Sequence, residues 1–357
     1  MTLELAERTL VLRLTDPLLI ARSSHGSGST STTVVIEVRD PADGADGPVG
    51  IGEGYPDIFY GETPATMSAV LPRLLAAIEP IEADLRGDLE TARAALEEAD
   101  GLMSVAIAHH GAAKCALDIA LHDLVGKRLG IPIRELLDLP GDIPPTDFTL
   151  GIDTPEVVAQ RATRAKDFPA LKIKVGGPSD LATLRAVRGV FDGPIRVDAN
   201  TGWTPEGARE LVPILMDLGV ELIEQPFPAR RYGWLRDLQA VSPLPIVADE
   251  SAVTIEDLDA LDGVGGVNVK LAKCGGIGPA RRFLEAAKAR GFRTFLGCME
   301  ETSIVIAASA AVAPLADWVD LDGNLLLAED PYTGLELGSD KRWRFADAPG
   351  LGLTQAT

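Results

Sequence analysis

Residues 170–175 read Ala-Leu-Lys-Ile-Lys-Val, a short apolar run that contains a Lys-x-Lys pair. Four more runs end in charged or amide side chains: Ile195–Asn200, Val220–Glu224, Ile246–Glu250 and Val267–Lys270. Their length and β-branched composition predict strands. The sequence therefore places functional side chains at the ends of successive strands.

These runs belong to a longer series with regular spacing. Eight strand-like centres follow one another at about 22–26 residues, the length of one strand, one helix and two short loops, and they lie near Leu150, Ile173, Val197, Leu222, Val247, Val269, Phe295 and Val319. Helices are predicted between them, for example over Pro205–Leu218, Ile255–Leu261 and Gly278–Arg290. Eight such units indicate a (β/α) barrel. An open doubly wound sheet is the alternative, but its usual Gly-rich phosphate turn does not follow the first strand.

The first third of the chain has a different pattern. Leu10–Leu14 and Thr33–Val38 are predicted strands, separated by a Gly/Ser-rich loop at residues 23–32 in which the lone His25 is expected to have no catalytic role. Helical periodicity dominates from about Thr63 to about Lys127. We predict an α+β domain over residues 1–130, a barrel over 131–324 and a return segment, 325–357, that packs on the first domain.

Composition bounds the class of protein. With 357 residues, 46% of them hydrophobic, and a net charge of −20, the chain is predicted to be globular. The negative charge disfavours nucleic acid and anionic membranes as partners. No apolar run approaches the ~20 residues of a membrane span, and no signal-peptide pattern follows Met1. Cys115, Cys274 and Cys298 have no metal-ligand spacing. We expect a cytoplasmic protein with reduced thiols.

Strand parity indicates which side chains face the barrel interior. Lys172 and Lys174 are two residues apart and share a face, as do Asn268 and Lys270. Lys273 has the opposite parity, so the sixth-strand amine is assigned to Lys270. Active sites of barrels lie at the C-terminal ends of the strands, which is where these side chains stand.

Three acids from consecutive strands predict a metal site. Asp198, Glu224 and Asp249 stand at the ends of the third, fourth and fifth strands. Hard oxygen ligands suit Mg²⁺, and three buried carboxylates are costly without a cation. We therefore expect these residues to bind one Mg²⁺ per subunit.

The inward-facing lysines have two explanations. A lysine forms a Schiff base, as in barrel aldolases, or acts as a general base whose pKa is lowered by its neighbour and by the metal. The acids favour the second, because proton abstraction beside a carboxylate benefits from a metal that stabilises the enediolate. Lys174 and Lys270 lie on strands four apart, on opposite sides of the barrel mouth. This arrangement suits racemisation or epimerisation.

Taken in order, the motifs resemble those of one family. Lys-x-Lys, Asp-x-Asn, Glu-Gln-Pro, Asp-Glu-Ser and Asn-x-Lys follow the helix-like segment Ala112–Lys127. Together they resemble the enolase superfamily, in particular its muconate-lactonising-enzyme subgroup, over nearly the whole chain. The resemblance implies an α+β capping domain with mobile loops and a modified (β/α)₇β barrel of the α/β class. It also implies that Lys174 and Lys270 are the acid/base pair and that Lys172 assists electrostatically.

One further motif separates the activities of this subgroup. Asp320 and Asp322 end the eighth strand on one face, and two more carboxylates beside a metal site are unfavourable unless a cation lies between them. The pair resembles the Asp-x-Asp motif with which dipeptide epimerases, such as the L-Ala-D/L-Glu type, hold a free α-ammonium group. The resemblance implies inversion at the C-terminal residue of a dipeptide. Helix capping or a solvated turn is the alternative role for the pair.

Several assignments remain open at the level of sequence. A muconate-type cycloisomerase, an o-succinylbenzoate synthase, an N-acylamino acid racemase and a barrel kept as a metal-binding scaffold are the alternatives. Thr149 and Met299 are predicted substrate contacts. Arg22 and the Arg230-Arg231 pair suit an acidic substrate side chain, whereas Leu18–Ile20 suit an apolar one. A homo-oligomer is expected.

Overall fold

A computed structural model describes residues 3–22 and 28–356, so His25 and the rest of segment 23–27 lie outside the described residues. The described chain forms an N-terminal sheet with helices packed on it, a barrel and a C-terminal segment. None of the helices in these ranges combines the length and apolar character that a membrane span needs.

The N-terminal sheet is antiparallel. Its strands are β1 (Glu4–Arg13), β2 (Thr30–Arg39) and β3 (Val49–Gly54), in that order. Four helices follow in the chain: α1 (Pro64–Ala77), α2 (Leu89–Ala106), α3 (Gly111–Leu129) and α4 (Ile133–Leu137). The predicted strands and the helical stretch up to Lys127 therefore have counterparts in this region.

The third strand is absent from the sequence predictions because it is built on alternating glycines. A Cβ at Gly52 would lie 1.9 Å from the carbonyl oxygen of Ala116 in α3, and Gly50 and Gly54 meet the same helix in the same way. Helix α3 is buried along most of its length against this surface. The glycines of β3 therefore serve close packing of a helix on the sheet.

The barrel sheet is parallel, and its strands lie in chain order. Within the described residues they are β4 (Phe148–Leu150), β5 (Leu171–Lys174), β6 (Ile195–Asp198), β7 (Val220–Glu224), β8 (Ile246–Ala248), β9 (Gly266–Val269), β10 (Arg293–Leu296) and β11 (Trp318–Val319). A parallel bridge between Thr146 and Val319 joins the two edges of the sheet. All eight predicted centres fall on these strands. The predicted fold class, a modified α/β barrel with an N-terminal capping domain, is confirmed.

Helices connect successive barrel strands. They are α5 (Pro155–Arg164), α6 (Asp180–Arg188), α7 (Pro205–Asp217), α8 (Tyr232–Gln239), α9 (Leu271–Cys274), α10 (Ile277–Ala289) and α11 (Ser303–Val312). The prediction of a helix over Ile255–Leu261 is wrong, because only a 3₁₀ turn, Ile255–Leu258, forms there. The Asp257 carboxylate accepts the amides of Val253 and Thr254, which holds the chain in this turn.

The C-terminal segment returns to the first strand. It forms two small sheets, β12 (Tyr332–Thr333) with β15 (Thr354–Gln355) and β13 (Leu335–Leu337) with β14 (Trp343–Phe345). The amide of Ala328 donates to the carbonyl of Arg13 at 2.8 Å, and the amide of Thr15 donates to the carbonyl of Leu326 at 2.9 Å. The domain limits at residues 130 and 324 stay a prediction.

Candidate active site

A cavity of about 490 Å³ opens at the C-terminal ends of the barrel strands. The residues that sequence analysis assigned to catalysis or substrate binding line it: Thr149, Lys172, Lys174, Lys270, Met299, Asp320 and Asp322. Asp249 lines it as well, and Asp198 and Glu224 are fully buried beside it. The fold therefore brings every predicted site residue to one place.

Asp198, Glu224 and Asp249 form a cluster in which each offers a carboxylate oxygen within 4.8 Å of the others. Asn268 Nδ2 donates to Glu224 Oε1 at 2.7 Å, and the backbone N–H of Asn200 donates to Asp198 Oδ1 at 2.9 Å. These hydrogen bonds orient both carboxylates. Glu224 Oε2 is buried and lies 2.8 Å from Lys172 Nζ. Three hard oxygen donors this close together, each from a buried carboxylate, fit a divalent cation such as Mg²⁺.

The protonation of this cluster reflects a balance between burial and nearby amines. Burial raises the pKa of Glu224 to about 7, and the charge of Asp198 adds to the shift. Burial acts on Asp249 in the same direction, but the amines of Lys270 and Lys273 outweigh it and hold its pKa well below the usual range. The cluster therefore keeps negative charge in a buried place, which favours a cation.

Lys174 and Lys270 stand at the ends of β5 and β9, four strands apart in the sheet. Lys174 Nζ lies 2.6 Å from Asp198 Oδ2, and Lys270 Nζ lies 3.0 Å from Asp249 Oδ2. Both side chains line the cavity. A substrate atom between them would therefore have an amine on either side.

The expected lowering of the lysine pKa is not found for Lys172 and Lys270. Burial favours the neutral amine of Lys270, but the charge of Asp249 outweighs burial and raises its pKa well above the usual value. Lys172 is also buried, and Asp320 and Glu224, at 2.7 and 2.8 Å from its Nζ, raise its pKa in the same way. The predicted lowering of the pKa considered the neighbouring amine and the metal, but not the carboxylates that lie close to Lys172 and Lys270.

Lys273 supports the acid cluster from outside the cavity. It lies in α9, and its buried Nζ donates to the carbonyl oxygens of Asp249, Ala252 and Asn268 at 2.7–2.9 Å. It also pairs with the carboxylate of Asp249. The structure thus places Lys270, and not Lys273, on the cavity, and it gives Lys273 a supporting position that parity alone did not suggest.

Asp320 and Asp322 follow β11 and are held by Thr149. The Thr149 amide donates to Asp322 Oδ2 at 2.6 Å, and its hydroxyl donates to Asp320 Oδ1 at 3.1 Å. Asp322 precedes the 3₁₀ turn Gly323–Leu326, but its side chain does not cap this turn. The helix-cap alternative is therefore not supported, and both carboxylates face the cavity.

Ionisation of both Asp320 and Asp322 is unfavourable without a further cation. Burial raises the pKa of Asp322 to about 8, and the charge of Asp320 adds to the shift. Asp147, which the sequence analysis missed, is fully buried and lies 2.8 Å from Arg196. Asp147 is two residues before Thr149 and therefore shares a strand face with it. This spacing could have predicted that Asp147 lies close to the site. A cationic group beside Asp320 and Asp322 would favour the ionised form of Asp322, so this end of the cavity is suited to a cation.

The remaining walls come from the described part of the first capping loop (residues 18–22), from the second capping loop (residues 55–60) and from the chain after β10. Leu18, Ile20 and Arg22 line the cavity, whereas Arg230 lines a separate cleft. Met299 Sδ lies 3.9 Å from Lys270 Nζ. Arg22 is thus the one predicted partner for an acidic substrate side chain that the described structure places in this cavity.

Fold and site together define an enolase-superfamily enzyme. Residues 8–138 match the family described as the mandelate racemase / muconate lactonizing enzyme N-terminal domain, and residues 156–356 match the enolase C-terminal domain-like family. The chain belongs to the mandelate racemase / muconate lactonizing enzyme family, and the predicted superfamily is confirmed.

Named relatives are epimerases. An L-Ala-D/L-Glu epimerase of Bacteroides thetaiotaomicron is 42% identical over 246 residues, which are 68% of this chain and 64% of that protein. An L-Ala-D/L-amino acid epimerase of Pedosphaera parvula is 38% identical over 93% of each chain. The crystal structure of a dipeptide epimerase from Enterococcus faecalis, complexed with Mg and L-Leu-L-Tyr, has a TM-score of 0.84, 32% identity and coverage of 99% of this chain and 100% of that one. The predicted enzyme class, an isomerase of the racemase and epimerase type, is confirmed.

Proposed function

We propose that this protein is a Mg²⁺-dependent dipeptide epimerase that inverts the α-carbon of the C-terminal residue. One observation carries the proposal: a single cavity holds two lysines on opposite sides and, at one end, the paired carboxylates of Asp320 and Asp322. Epimerisation needs an acid and a base on opposite sides of the α-carbon, which the two lysines provide. Binding of a free ammonium group needs negative charge, which the paired carboxylates provide. Similarity to relatives named as dipeptide epimerases supports the same substrate class.

The substrate is oriented by charge at its two ends. Its ammonium group pairs with Asp320 and Asp322, which Thr149 holds in place. Asp198, Glu224 and Asp249 would hold the Mg²⁺, which when bound supplies positive charge for the substrate carboxylate. The C-terminal α-carbon then lies between Lys174 and Lys270.

Lys174 and Lys270 move the proton. A cation held by Asp198 and Asp249 would offset the carboxylate charges that favour the ammonium forms of Lys174 and Lys270. The lysine that is then neutral accepts the α-proton from one face, which leaves a planar enediolate, and the other lysine, as an ammonium, donates a proton to the opposite face. The two lysines exchange protonation states and the substrate gains as many protons as it loses. The reverse reaction exchanges their roles. Lys172, between Glu224 and Asp320, adds positive charge close to the developing anion.

Cycloisomerases, o-succinylbenzoate synthases and N-acylamino acid racemases share the lysines and acids of the subgroup by resemblance. The substrates considered for them carry no ammonium, so they make no use of a buried acid pair such as Asp320 and Asp322. Replacement of Asp320 by Asn separates the two proposals, because only a dipeptide epimerase loses a substrate partner.

A dipeptide library in D₂O with Mg²⁺, followed by mass spectrometry, tests the function. We expect one deuterium at the C-terminal α-carbon and formation of the epimer. Lys174→Ala and Lys270→Ala should abolish epimer formation, whereas Lys166→Ala, at an exposed position that does not line the cavity, should not. A broad library without exchange would contradict the proposal, and full activity of either cavity variant would contradict the mechanism.

A further inference from the structure

Residues 18–22, in the first capping loop, are docked across the barrel mouth. The Leu19 carbonyl accepts the amide of Ile152 at 2.8 Å, after β4. Ala21 packs on Gly176 and Gly202, where an added Cβ would lie 2.5 and 2.8 Å from Ala21 Cβ. The loop therefore passes closely over the ends of β4, β5 and β6.

Arg22 ends the described part of this loop, and its charge is already paired. One guanidinium nitrogen lies 2.8 Å from Glu250 Oε1, just after β8, and the Glu250 side chain is fully buried. Phe59, from the second capping loop, covers the guanidinium with its ring centroid 4.1 Å away. Separation of the pair would leave a buried charge without a partner. Arg22 is therefore poorly suited to bind a substrate carboxylate.

The other cations of the cavity are engaged too. Lys172, Lys174 and Lys270 each have a carboxylate oxygen within 3.0 Å. Apart from these and Arg22, no Lys or Arg in the described ranges lines the cavity. Asp57 and Glu300 add acidic groups to its lining. In the proposed function Lys174 and Lys270 flank the α-carbon, and Lys172 stays paired with Asp320. An acidic substrate side chain would therefore meet carboxylates and no cation that is without another role.

The wall around Arg22 combines the polar side chains of Tyr60 and Asn200 with a group of apolar ones. The apolar ones are Ile20, from the first capping loop, and Ile58 and Phe59, from the second. Leu18 lies farther along, over Gly151 after β4. Ile58 is 75% exposed and Phe59 is 40% exposed. An apolar group bound against them would remove their surface and its own from water.

On the basis of the proposed function, we propose that the enzyme selects dipeptides with an apolar C-terminal side chain and discriminates against acidic ones. The ammonium group is assigned to Asp320 and Asp322, after β11. Arg22 and Phe59 lie at the end of β8, three strands away around the barrel. The C-terminal side chain, which projects away from the ammonium end, therefore meets the apolar side chains of the wall around Arg22. Burial of a leucine-sized side chain corresponds to about 10- to 150-fold in kcat/KM.

Matched dipeptides test the selectivity. We would measure kcat/KM by deuterium uptake for L-Ala-L-Leu, L-Ala-L-Met, L-Ala-L-Gln, L-Ala-L-Glu and L-Ala-L-Lys. The Leu and Met dipeptides should exceed Gln, Gln should exceed its isostere Glu, and Met should exceed Lys. A Glu dipeptide as good as Gln, or a Lys dipeptide better than Met, overturns the selectivity while the proposed function stands. Exchange with none of them, in a library that is also inert, overturns both.

Variants of the ion pair distinguish a structural Arg22 from one that binds substrate. Arg22→Met should lower kcat/KM for the Gln and Glu dipeptides alike and leave their ratio unchanged. Glu250→Gln, which releases Arg22, should move that ratio toward Glu by about tenfold. Arg13→Met, at an exposed position in β1, is the control and should change neither. Selective loss of the Glu dipeptide in Arg22→Met, or an unmoved ratio in Glu250→Gln, would overturn the proposal.

Discussion

Asp320→Asn removes one charge from the site assigned to the substrate ammonium and nearly preserves the side-chain shape. At ~4 Å and an effective dielectric constant of ~20, a carboxylate–ammonium contact corresponds to about 4 kcal/mol. Asp322 remains, held at 2.6 Å by the Thr149 amide, so roughly half of the interaction should persist. We therefore expect a loss of about 2 kcal/mol, or about 30-fold in kcat/KM for a dipeptide.

The assay must separate this effect from damage to Lys172, whose Nζ lies 2.7 Å from Asp320. Deuterium uptake by L-Ala-L-Leu gives kcat/KM, and inhibition by N-acetyl-L-Ala-L-Leu reports binding of the same molecule without its ammonium. The first should fall in Asp320→Asn while the inhibition constant of the second changes little. Asp192→Asn, at an exposed position, is the matched control. Equal losses for both molecules would refute the assignment of the ammonium to Asp320.

Three further predictions concern the metal and the packing of the chain. Treatment with EDTA should abolish exchange and Mg²⁺ should restore it, with one binding event by calorimetry that Asp249→Asn removes. Gly52→Ala would place a Cβ 1.9 Å from the carbonyl oxygen of Ala116. Urea denaturation should show that this variant has a free energy of unfolding about 3 kcal/mol lower. Gly101→Ala is the control and should not be destabilised, because the space around its new Cβ is open. Burial raises the pKa of Glu301 to about 8, above the ordinary 4.5. The folded state therefore keeps this proton longer, and its contribution to stability falls as pH rises from 4.5 to about 8, by at most about 1.4 kcal/mol per pH unit. Glu301→Gln should lessen the decrease in melting temperature across that range, and an unchanged pH dependence would count against the assignment.

The barrel and most of its site follow from local rules. A strand–helix repeat sets the spacing of apolar runs, and the two-residue period of a strand decides which side chains share a face. These rules were enough to place Lys174 and Lys270 on opposite sides of one opening. They also predicted the cluster of Asp198, Glu224 and Asp249, because the ends of parallel strands meet at one edge.

Local rules failed where a residue's role depends on a distant contact. In the sequence the glycines of β3 are typical of a loop, because only the folded structure shows that they allow α3 to pack closely on the sheet. The direction of the pKa shift of Lys270 depends on how closely Asp249 approaches it, which no spacing shows. Arg22 carries the charge expected of a partner for an acidic substrate side chain, but Glu250, far away in the sequence, pairs with it.

The sequence by itself therefore determined the architecture and the chemical groups at the barrel mouth, since strand period and repeat length are properties of neighbouring residues. Tertiary structure alone decided which of these groups are already neutralised and which remain for a substrate. The physical reason is that a buried charge is stabilised by the partner nearest in space, and residues far apart in the chain supply that partner only after folding.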